Sequence, residues 1–320
     1  MITESIKEGF NVTHRNWQVI LLKVTATFIN LFGFLLFAGF SIAVVIAVVG
    51  ADLPYLKDIL HGLISDPLEI LSKYLRLAIL ICVAFILYLT VASVIILYVF
   101  GGTLGVLRNS SLDMQYRFSF SSFFAEAKNL FFPLLWLFNI ALLVIIGILI
   151  VFGILTVIGF SVIHTYSGSG TTLSTFIVSF FTLLAIFSGL IIVLGGLIFT
   201  FYAAIVLAVG KKGVIDSFRD TWNFLINKPT AFLFYIIVVI VMVAITIVLN
   251  VIAGSFSMIP MAGFVIGIPY RFAVSILMNY LSVVMWSSLL VFYIRGINLP
   301  VKTLNAFSSR GGREPQRALT

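Results

Sequence analysis

Charged residues are what this sequence has least of. Asp, Glu, Lys and Arg make up only 9% of its 320 residues, whereas soluble domains carry about 25%. A chain with so little charge cannot cover a water-facing surface, which excludes a soluble globular protein. Because 62% of the residues are hydrophobic, we expect lipid to be the main solvent. An α-helix satisfies the hydrogen bonds of a backbone placed in lipid within its own segment. The composition therefore predicts an all-α integral membrane protein.

Residues that carry out chemistry are also scarce. Cys82 is the single cysteine, so an internal disulfide is impossible, and we interpret it as a small apolar side chain. The three histidines, His14, His61 and His164, stand at no helical spacing from one another, which argues against a haem or zinc site. No phosphate-binding loop, GxSxG or HExxH motif occurs. We therefore predict that the protein is not an enzyme and has no catalytic, cofactor-binding or metal-binding residues.

Acidic residues are missing from the apolar runs of the sequence. All 11 Asp and Glu residues lie outside the spans predicted below. Proton-driven transporters carry ionisable groups within their membrane helices. This absence argues against ion-coupled transport and leaves facilitated transport and lipid handling open.

Long uncharged runs are what the sequence has instead. A bilayer core about 30 Å thick needs roughly 20 apolar residues per helix. Residues 129–210 contain no charge at all and are divided by a turn composition at 166–172. We predict six spans in a single membrane domain, 1–300, followed by a basic cytoplasmic tail, 301–320, that is disordered. The predicted spans are 24–50, 77–107, 130–160, 175–209, 230–252 and 272–294.

The basic residues predict the orientation of these spans. With six spans, 15 of the 19 Lys and Arg residues fall on the side that holds both termini. Cytoplasmic loops carry this excess, so both termini are predicted to lie in the cytoplasm, with the chain in the plasma or inner membrane. The net charge of +8 is then a signal of topology and does not indicate a nucleic-acid partner. The predicted partners are membrane lipids and other membrane proteins.

An amphipathic segment precedes each outward-going span, at 2–17, 120–131 and 214–225. Apolar residues recur every three or four positions in each segment, with charged residues mostly on other faces. Such helices lie in the headgroup plane with their aromatic residues toward the membrane. The predicted interfacial anchors are Phe10, Trp17, Phe123, Phe218 and Trp222.

The first and third of these segments also match each other in order. Residues 5–11 (SIKEGFN) and 217–223 (SFRDTWN) both read hydroxyl, apolar, base, acid, small residue, aromatic, Asn. The middle segment keeps only Ser122 and Phe123. We infer three parallel modules, 2–107, 118–209 and 213–297, each an interfacial helix followed by a helical hairpin. The alternative is that entry helices of this kind resemble one another by chance.

The segment 203–229, AAIVLAVGKKGVIDSFRDTWNFLINKP, resembles a segment of a known family. It is similar to the six-span membrane domain found beside glycerophosphoryl diester phosphodiesterases, and to related stand-alone bacterial and archaeal membrane proteins. The resemblance implies an architecture of six spans. It implies no catalytic residues, because the spans take up the chain and leave no room for a soluble phosphodiesterase domain.

Two segments on the predicted outer side are unusual. Residues 56–75 keep apolar side chains at helical spacing and would rest on the outer leaflet or against a partner. Residues 254–270 are uncharged and rich in glycine and proline, which leaves two interpretations, a re-entrant segment within the bundle or an apolar external loop. The residues that would shape a re-entrant segment are Gly254, Pro260, Gly263, Gly267 and Pro269.

These observations favour a non-enzymatic membrane protein that acts as a scaffold, assembly partner or lipid-contacting subunit. The alternative is a facilitator or permease for a small neutral or apolar solute, favoured by the parallel modules, the re-entrant interpretation of 254–270 and the glycine-rich spans. A polar cavity reaching the middle of the membrane would favour transport, whereas a packed, dry core would favour a scaffold.

Overall fold

Long helices dominate the protein. The computed structural model describes residues 2–49, 65, 75–166, 172–257 and 265–297. Six helices within these ranges are long and apolar enough to cross a membrane, which confirms the predicted number of spans. In chain order the helices are α1 (Ile2–Arg15), α2 (Gln18–Val49), α3 (Leu75–Leu112), α4 (Phe120–Tyr166), α5 (Thr172–Gly210), α6 (Val214–Asn227), α7 (Thr230–Ser257) and α8 (Gly267–Gly296).

Several helices extend well beyond the predicted spans. Helix α4 has 47 residues, which at 1.5 Å per residue gives about 70 Å, against about 30 Å for a hydrocarbon core. The predicted spans 77–107 and 130–160 stop short of Arg108 and Lys128 on one side of the membrane, but helix α3 continues past Arg108 and helix α4 begins before Lys128. A charge marks the limit of the hydrocarbon, whereas a helix continues as long as its backbone hydrogen bonds do.

The amphipathic segments take two forms. The first and third are separate short helices, α1 and α6, of 14 residues each. The middle segment differs from the expectation, because Phe120–Phe131 is the beginning of the long helix α4. Pro133 lies within that helix and removes one backbone donor without ending it.

The chain divides into two compact units, Gln18–Phe100 and Met1–Trp17 with Gly101–Thr320. In the first of these, α2 and the start of α3 form a hairpin joined by aromatic contacts, with the Phe37 and Tyr88 rings stacked at 5.7 Å. The Tyr88 hydroxyl also donates a hydrogen bond of 3.5 Å to the Asn30 carbonyl.

The larger unit contains two further hairpins. Helices α4 and α5 pack along each other, and a Cβ placed on Gly196 would lie 2.9 Å from Ile145 Cγ1. Helices α7 and α8 are paired as well, since the Tyr270 hydroxyl donates to the Leu249 carbonyl at 2.8 Å.

The buried core of the larger unit lies at one end of three helices. Every residue of 101–108, 202–208 and 286–294 is buried. These stretches are the carboxyl-terminal parts of α3, α5 and α8, the second helix of each hairpin. Elsewhere the same helices expose apolar side chains, as expected where lipid is the solvent.

The segment 254–270 is helical at both of its edges. Helix α7 continues to Ser257 and α8 begins at Gly267, which places Pro269 in a first turn, where its missing donor costs nothing. A Cβ on Gly254 or Gly267 would meet no heavy atom of the described residues within 4 Å, so close helix packing does not explain either glycine. Pro260 and Gly263 lie outside the described residues, as do nearly all of 56–75 and the whole tail 301–320.

Candidate functional site: the packed end of the larger unit

We call the region around the three buried stretches the packed end. It consists of α1, α6, the start of α4 and the carboxyl-terminal parts of α3, α5 and α8, that is, residues 2–16, 214–227, 120–134, 101–112, 198–210 and 283–295. Each amphipathic segment contacts the end of one of these three long helices.

Helix α1 packs on the end of α8 through small residues. A Cβ on Gly9 would lie 2.8 Å from the Cα of Ser288, so only glycine allows this approach. The hydroxyls of Thr13 and Ser287 share a hydrogen bond of 2.8 Å, and the Ser287 hydroxyl also lies 2.8 Å from the Gly9 carbonyl, to which it donates. The contact joins the amino-terminal helix to the last span.

The start of α4 packs on the end of α3, again through glycines. A Cβ on Gly102 would lie 2.6 Å from the Phe123 ring, and one on Gly105 would lie 2.9 Å from Cγ of Glu126. Phe123 is 1% exposed. The close approach of the two helices buries this aromatic ring inside the protein.

Helix α6 packs on the end of α5 through aromatic rings. The rings of Phe199 and Phe218 stack with centroids 5.6 Å apart. Tyr202 and Phe224 also meet at 5.6 Å, and the Tyr202 hydroxyl donates to the Ala231 carbonyl at 3.0 Å. This contact fixes the short helix just before the third hairpin begins.

The three contacts follow one cyclic order. The start of α4 packs on α3 and α6 packs on α5, so each of these segments contacts the helix that precedes it in the chain. Helix α1, the first of the described helices, packs on α8, the last of them. In terms of the predicted modules, the amphipathic segments of the second and third modules therefore pack on the second span of the preceding module. The amphipathic segment of the first module packs on the second span of the third module, which completes the cyclic order.

An ion pair accompanies each of the three contacts. Arg108 of α3 pairs with Glu126 of α4 at 2.7 Å, and Lys212, just after α5, pairs with Asp220 of α6 at 2.7 Å. Arg295 of α8 pairs with both carboxylates of α1, Glu8 and Glu4, the latter at 2.9 Å. In every case the base lies at or just after the end of a second span, and the acid lies in the amphipathic segment packed there.

The pair of Arg108 and Glu126 is the buried one, with side chains 4% and 13% exposed. Arg108 also donates to the Ala208 carbonyl at 2.9 Å and to Asn109 Oδ1 at 2.7 Å. These bonds join the ends of α3 and α5 to the start of α4. The other pairs are more exposed, and the hydrogen bond to Asp220 raises the pKa of Lys212.

The end of α1 is held by a small polar cluster. Arg15 Nε and Asn16 Nδ2 donate to the Ser110 hydroxyl at 3.1 and 2.7 Å, and Arg15 Nη1 donates to the Met114 carbonyl at 2.8 Å. Burial lowers the pKa of the Arg15 guanidinium, and the carboxylates of Asp113 and Glu8 oppose that shift. The cluster ties α1 to α3 as well as to α8.

The buried faces of α1 and α6 correspond residue by residue. The two helices bury residues at the same spacing, which is i, i+4, i+7 and i+8. Aligning the Ser5 and Ser217 segments of the sequence places each buried residue of one helix opposite a buried residue of the other. The residues are Ser5, Gly9, Val12 and Thr13 in α1, and Ser217, Thr221, Phe224 and Leu225 in α6.

The predicted interfacial anchors occupy different surroundings. Phe10, Trp17 and Trp222 are exposed, and Phe218 is half-buried against Phe199. Phe123 differs from the others because it is enclosed between α3 and α4. The face that each short helix turns to the protein bears hydroxyl groups and lies next to the face that carries the predicted aromatic anchors.

A cleft of about 440 Å³ opens at the packed end, between α1, the end of α3 and the end of α8. One wall is apolar, and the polar lining includes two acids and two bases. The lining residues are Glu4, Lys7, Glu8, Asn11, Ser111, Met114, Val291, Ile294 and Arg295. Sequence reasoning did not find this cleft, because its residues come from three distant parts of the chain.

Comparisons with protein-family models, curated proteins and solved structures found no match to this chain. The resemblance of 203–229 to the phosphodiesterase-associated membrane domain therefore stays a prediction.

Proposed function

We propose that this protein is a non-enzymatic membrane scaffold whose three amphipathic segments pack, in a cyclic order, on the ends of three long helices at the cytoplasmic side of the cell membrane. In this arrangement both termini lie in the cytoplasm, and the hairpins present apolar surfaces to lipids and to the spans of partner proteins. The cyclic order of the three helix contacts, each with its own ion pair, is the observation that supports the proposal most strongly.

The character of the packed end favours a scaffold over a permease. Its buried side chains are mostly large and apolar, and many of its buried polar groups are hydrogen-bonded to one another. A solute pathway needs polar groups that line a passage and are free to exchange partners. The fully buried large side chains here include Leu104, Leu107, Ile205, Leu289 and Leu290.

The apolar surfaces beyond the packed end supply the contact area that a scaffold requires. Leu143 and Val157 of α4 and Ile191 of α5 are among the most exposed large side chains. Lipid tails are as apolar as leucine, so such surfaces are stable in a membrane and remain available to partner helices.

Photo-crosslinking in native membranes tests the scaffold role. Benzoylphenylalanine at the exposed position of Phe187 should form adducts with a partner protein or with lipid, whereas at the buried position of Phe292 it should react only within the chain.

Uptake of glycerol or urea by liposomes that contain the purified protein tests the permease alternative. Saturable uptake above that of protein-free vesicles would favour the permease and overturn the scaffold proposal.

Cysteine labelling tests the orientation. In a Cys82→Ser background, a cysteine at the exposed Ile266 should react with an impermeant thiol reagent in intact cells, and one at Asp216 or Gln115, also exposed, should react only after lysis. Labelling in the opposite order would place the packed end outside the cytoplasm.

A further inference from the structure

We propose that the cleft between α1, α3 and α8 binds a phosphorylated primary amine, as a lipid headgroup or as a free small molecule. The inference does not depend on the scaffold role. It concerns Lys7 and Ser111, to which the contacts between modules give no role, together with the charges of Glu4, Glu8 and Arg295 beside them.

The cleft has a balanced set of charges around an apolar wall. Glu4 and Glu8 supply carboxylates, and Lys7 and Arg295 supply cations. A ligand with one positive and one negative group matches this lining better than a simple cation or anion does, since either of those would face a like charge. Met114, Val291 and Ile294 form an apolar wall that suits the glycerol and acyl region of a lipid.

The second observation is an unsatisfied buried hydroxyl. Ser111 lines the cleft and is only 4% exposed, and its Oγ has no hydrogen-bond partner among the described residues. Leaving a buried polar group unpaired is costly, so such a group points to a missing partner. A phosphate oxygen in the cleft would accept a hydrogen bond from it.

The two ends of the ligand can be assigned from the same lining. Lys7 forms no ion pair within the described part of the chain, so its ammonium is available for a phosphate together with Ser111 and Asn11. Glu4 and Glu8 each bind Arg295 through one carboxylate oxygen. A carboxylate has about four acceptor positions, so Glu8 can also accept hydrogen bonds from a primary ammonium. A quaternary ammonium cannot donate such bonds.

Native mass spectrometry of the full chain in mild detergent tests the proposal. The probes are phosphatidylethanolamine, phosphatidylcholine and phosphatidylglycerol at equal concentrations, with soluble phosphoethanolamine as a competitor. We expect one phosphatidylethanolamine bound at least about tenfold more tightly than the other two lipids, because a charged hydrogen bond contributes roughly that factor. Binding of soluble phosphoethanolamine without any lipid preference would support the same site with a free ligand.

Two variants locate the binding in the cleft. Lys7→Gln and Ser111→Ala should each weaken binding about tenfold. Arg219→Gln is the matched control, because Arg219 aligns with Lys7 in the repeated segment but lies on α6, away from the cleft. Ser111→Ala removes an unpaired hydroxyl, so a purely structural serine predicts unchanged binding and equal or higher thermal stability.

The results that would overturn the proposal are equally distinct. Equal retention of all three lipids without binding of phosphoethanolamine, no retention of any probe, or binding that neither variant weakens would each show that the cleft is not this site. The melting temperature of each variant in detergent confirms that the chain is folded before its binding is compared.

Discussion

The two ends of α5 are both uncharged and apolar, yet their surroundings differ completely. Residues 202–208 are all buried at the packed end, whereas residues 179–184 are all exposed. In water, such a difference in burial would follow from hydrophobicity. In lipid it cannot, because lipid tails solvate leucine as well as a protein interior does.

Small residues and polar partners distinguish the packed end instead. The three buried stretches contain the pairs Gly101-Gly102, Ala203-Ala204 and Ser287-Ser288, all of them buried. A Cβ on Gly147, Gly153 or Gly159, in the carboxyl-terminal half of α4, would meet no described atom within 4 Å. In this protein, close packing follows from small residues that face a partner and from ion pairs that cross the contact.

The largest expected effect is the loss of the buried ion pair. Arg108→Ala leaves the mostly buried Glu126 without its cation and with the Asn109 amide, at 3.3 Å, as its remaining donor in the described part of the chain. This should cost about 3–5 kcal/mol of stability and sharply reduce the folded protein recovered in detergent. Thermal denaturation followed by size-exclusion chromatography measures this.

Two further variants sharpen that comparison. Lys212→Ala removes the exposed pair at the equivalent contact and should leave the melting temperature nearly unchanged. Arg108→Met combined with Glu126→Leu replaces the buried pair by apolar side chains and should recover most of the loss. If Arg108→Ala and Lys212→Ala behave alike, the buried pair does not hold the packed end together.

A smaller effect is expected from filling the glycine contacts. Gly102→Leu forces a side chain into the Phe123 ring and should destabilise the protein by about 1–3 kcal/mol. Gly153→Leu places the same side chain on the open face of α4, where the higher helix propensity of leucine should leave stability equal or slightly raised. Melting temperatures in detergent report both, and equal losses would mean that the glycines at the packed end are not contact residues.

The six spans could be predicted because they depend only on composition and length. Uncharged runs such as 129–210 exceed what a bilayer requires, and the turn composition at 166–172 divides that run correctly, since α4 ends at Tyr166 and α5 begins at Thr172. The short helices α1 and α6 were also predictable from their periodicity.

The packed end could be predicted only in part. The alignment of Ser5 with Ser217 was in the sequence, but the face that packs was not evident, because an aromatic stripe is a stronger signal than a row of Ser, Gly and Thr. The sequence does not predict the pairing of Arg108 with Glu126, because both residues lie outside the predicted spans and on different helices. A base at the end of each second span and an acid in each amphipathic segment was the signal that could have found it.

The smallest effect is expected from tryptophan substitutions that leave the fold unchanged. Fluorescence quenching in these chains compares how far each remaining tryptophan is exposed to lipid. In chains that keep a single tryptophan, Trp222, which is 60% exposed on α6, should lose most of its fluorescence in vesicles of brominated lipid. Trp286, which is buried between α5 and α8 against Phe201, should keep most of its fluorescence because lipid does not reach it.

The depth of the bromine atoms then tests the in-plane position of α6. An amphipathic helix in the headgroup plane places its aromatic rings about 5–10 Å into the interface. Trp222 should therefore be quenched more strongly by lipids brominated near the headgroup than by lipids brominated near the end of the acyl chain. Trp136, which is exposed on the span α4, serves as the lipid-facing reference. Quenching of Trp222 by aqueous iodide but not by either lipid would place α6 in water, and the aromatic stripe would then have to serve contact with another protein.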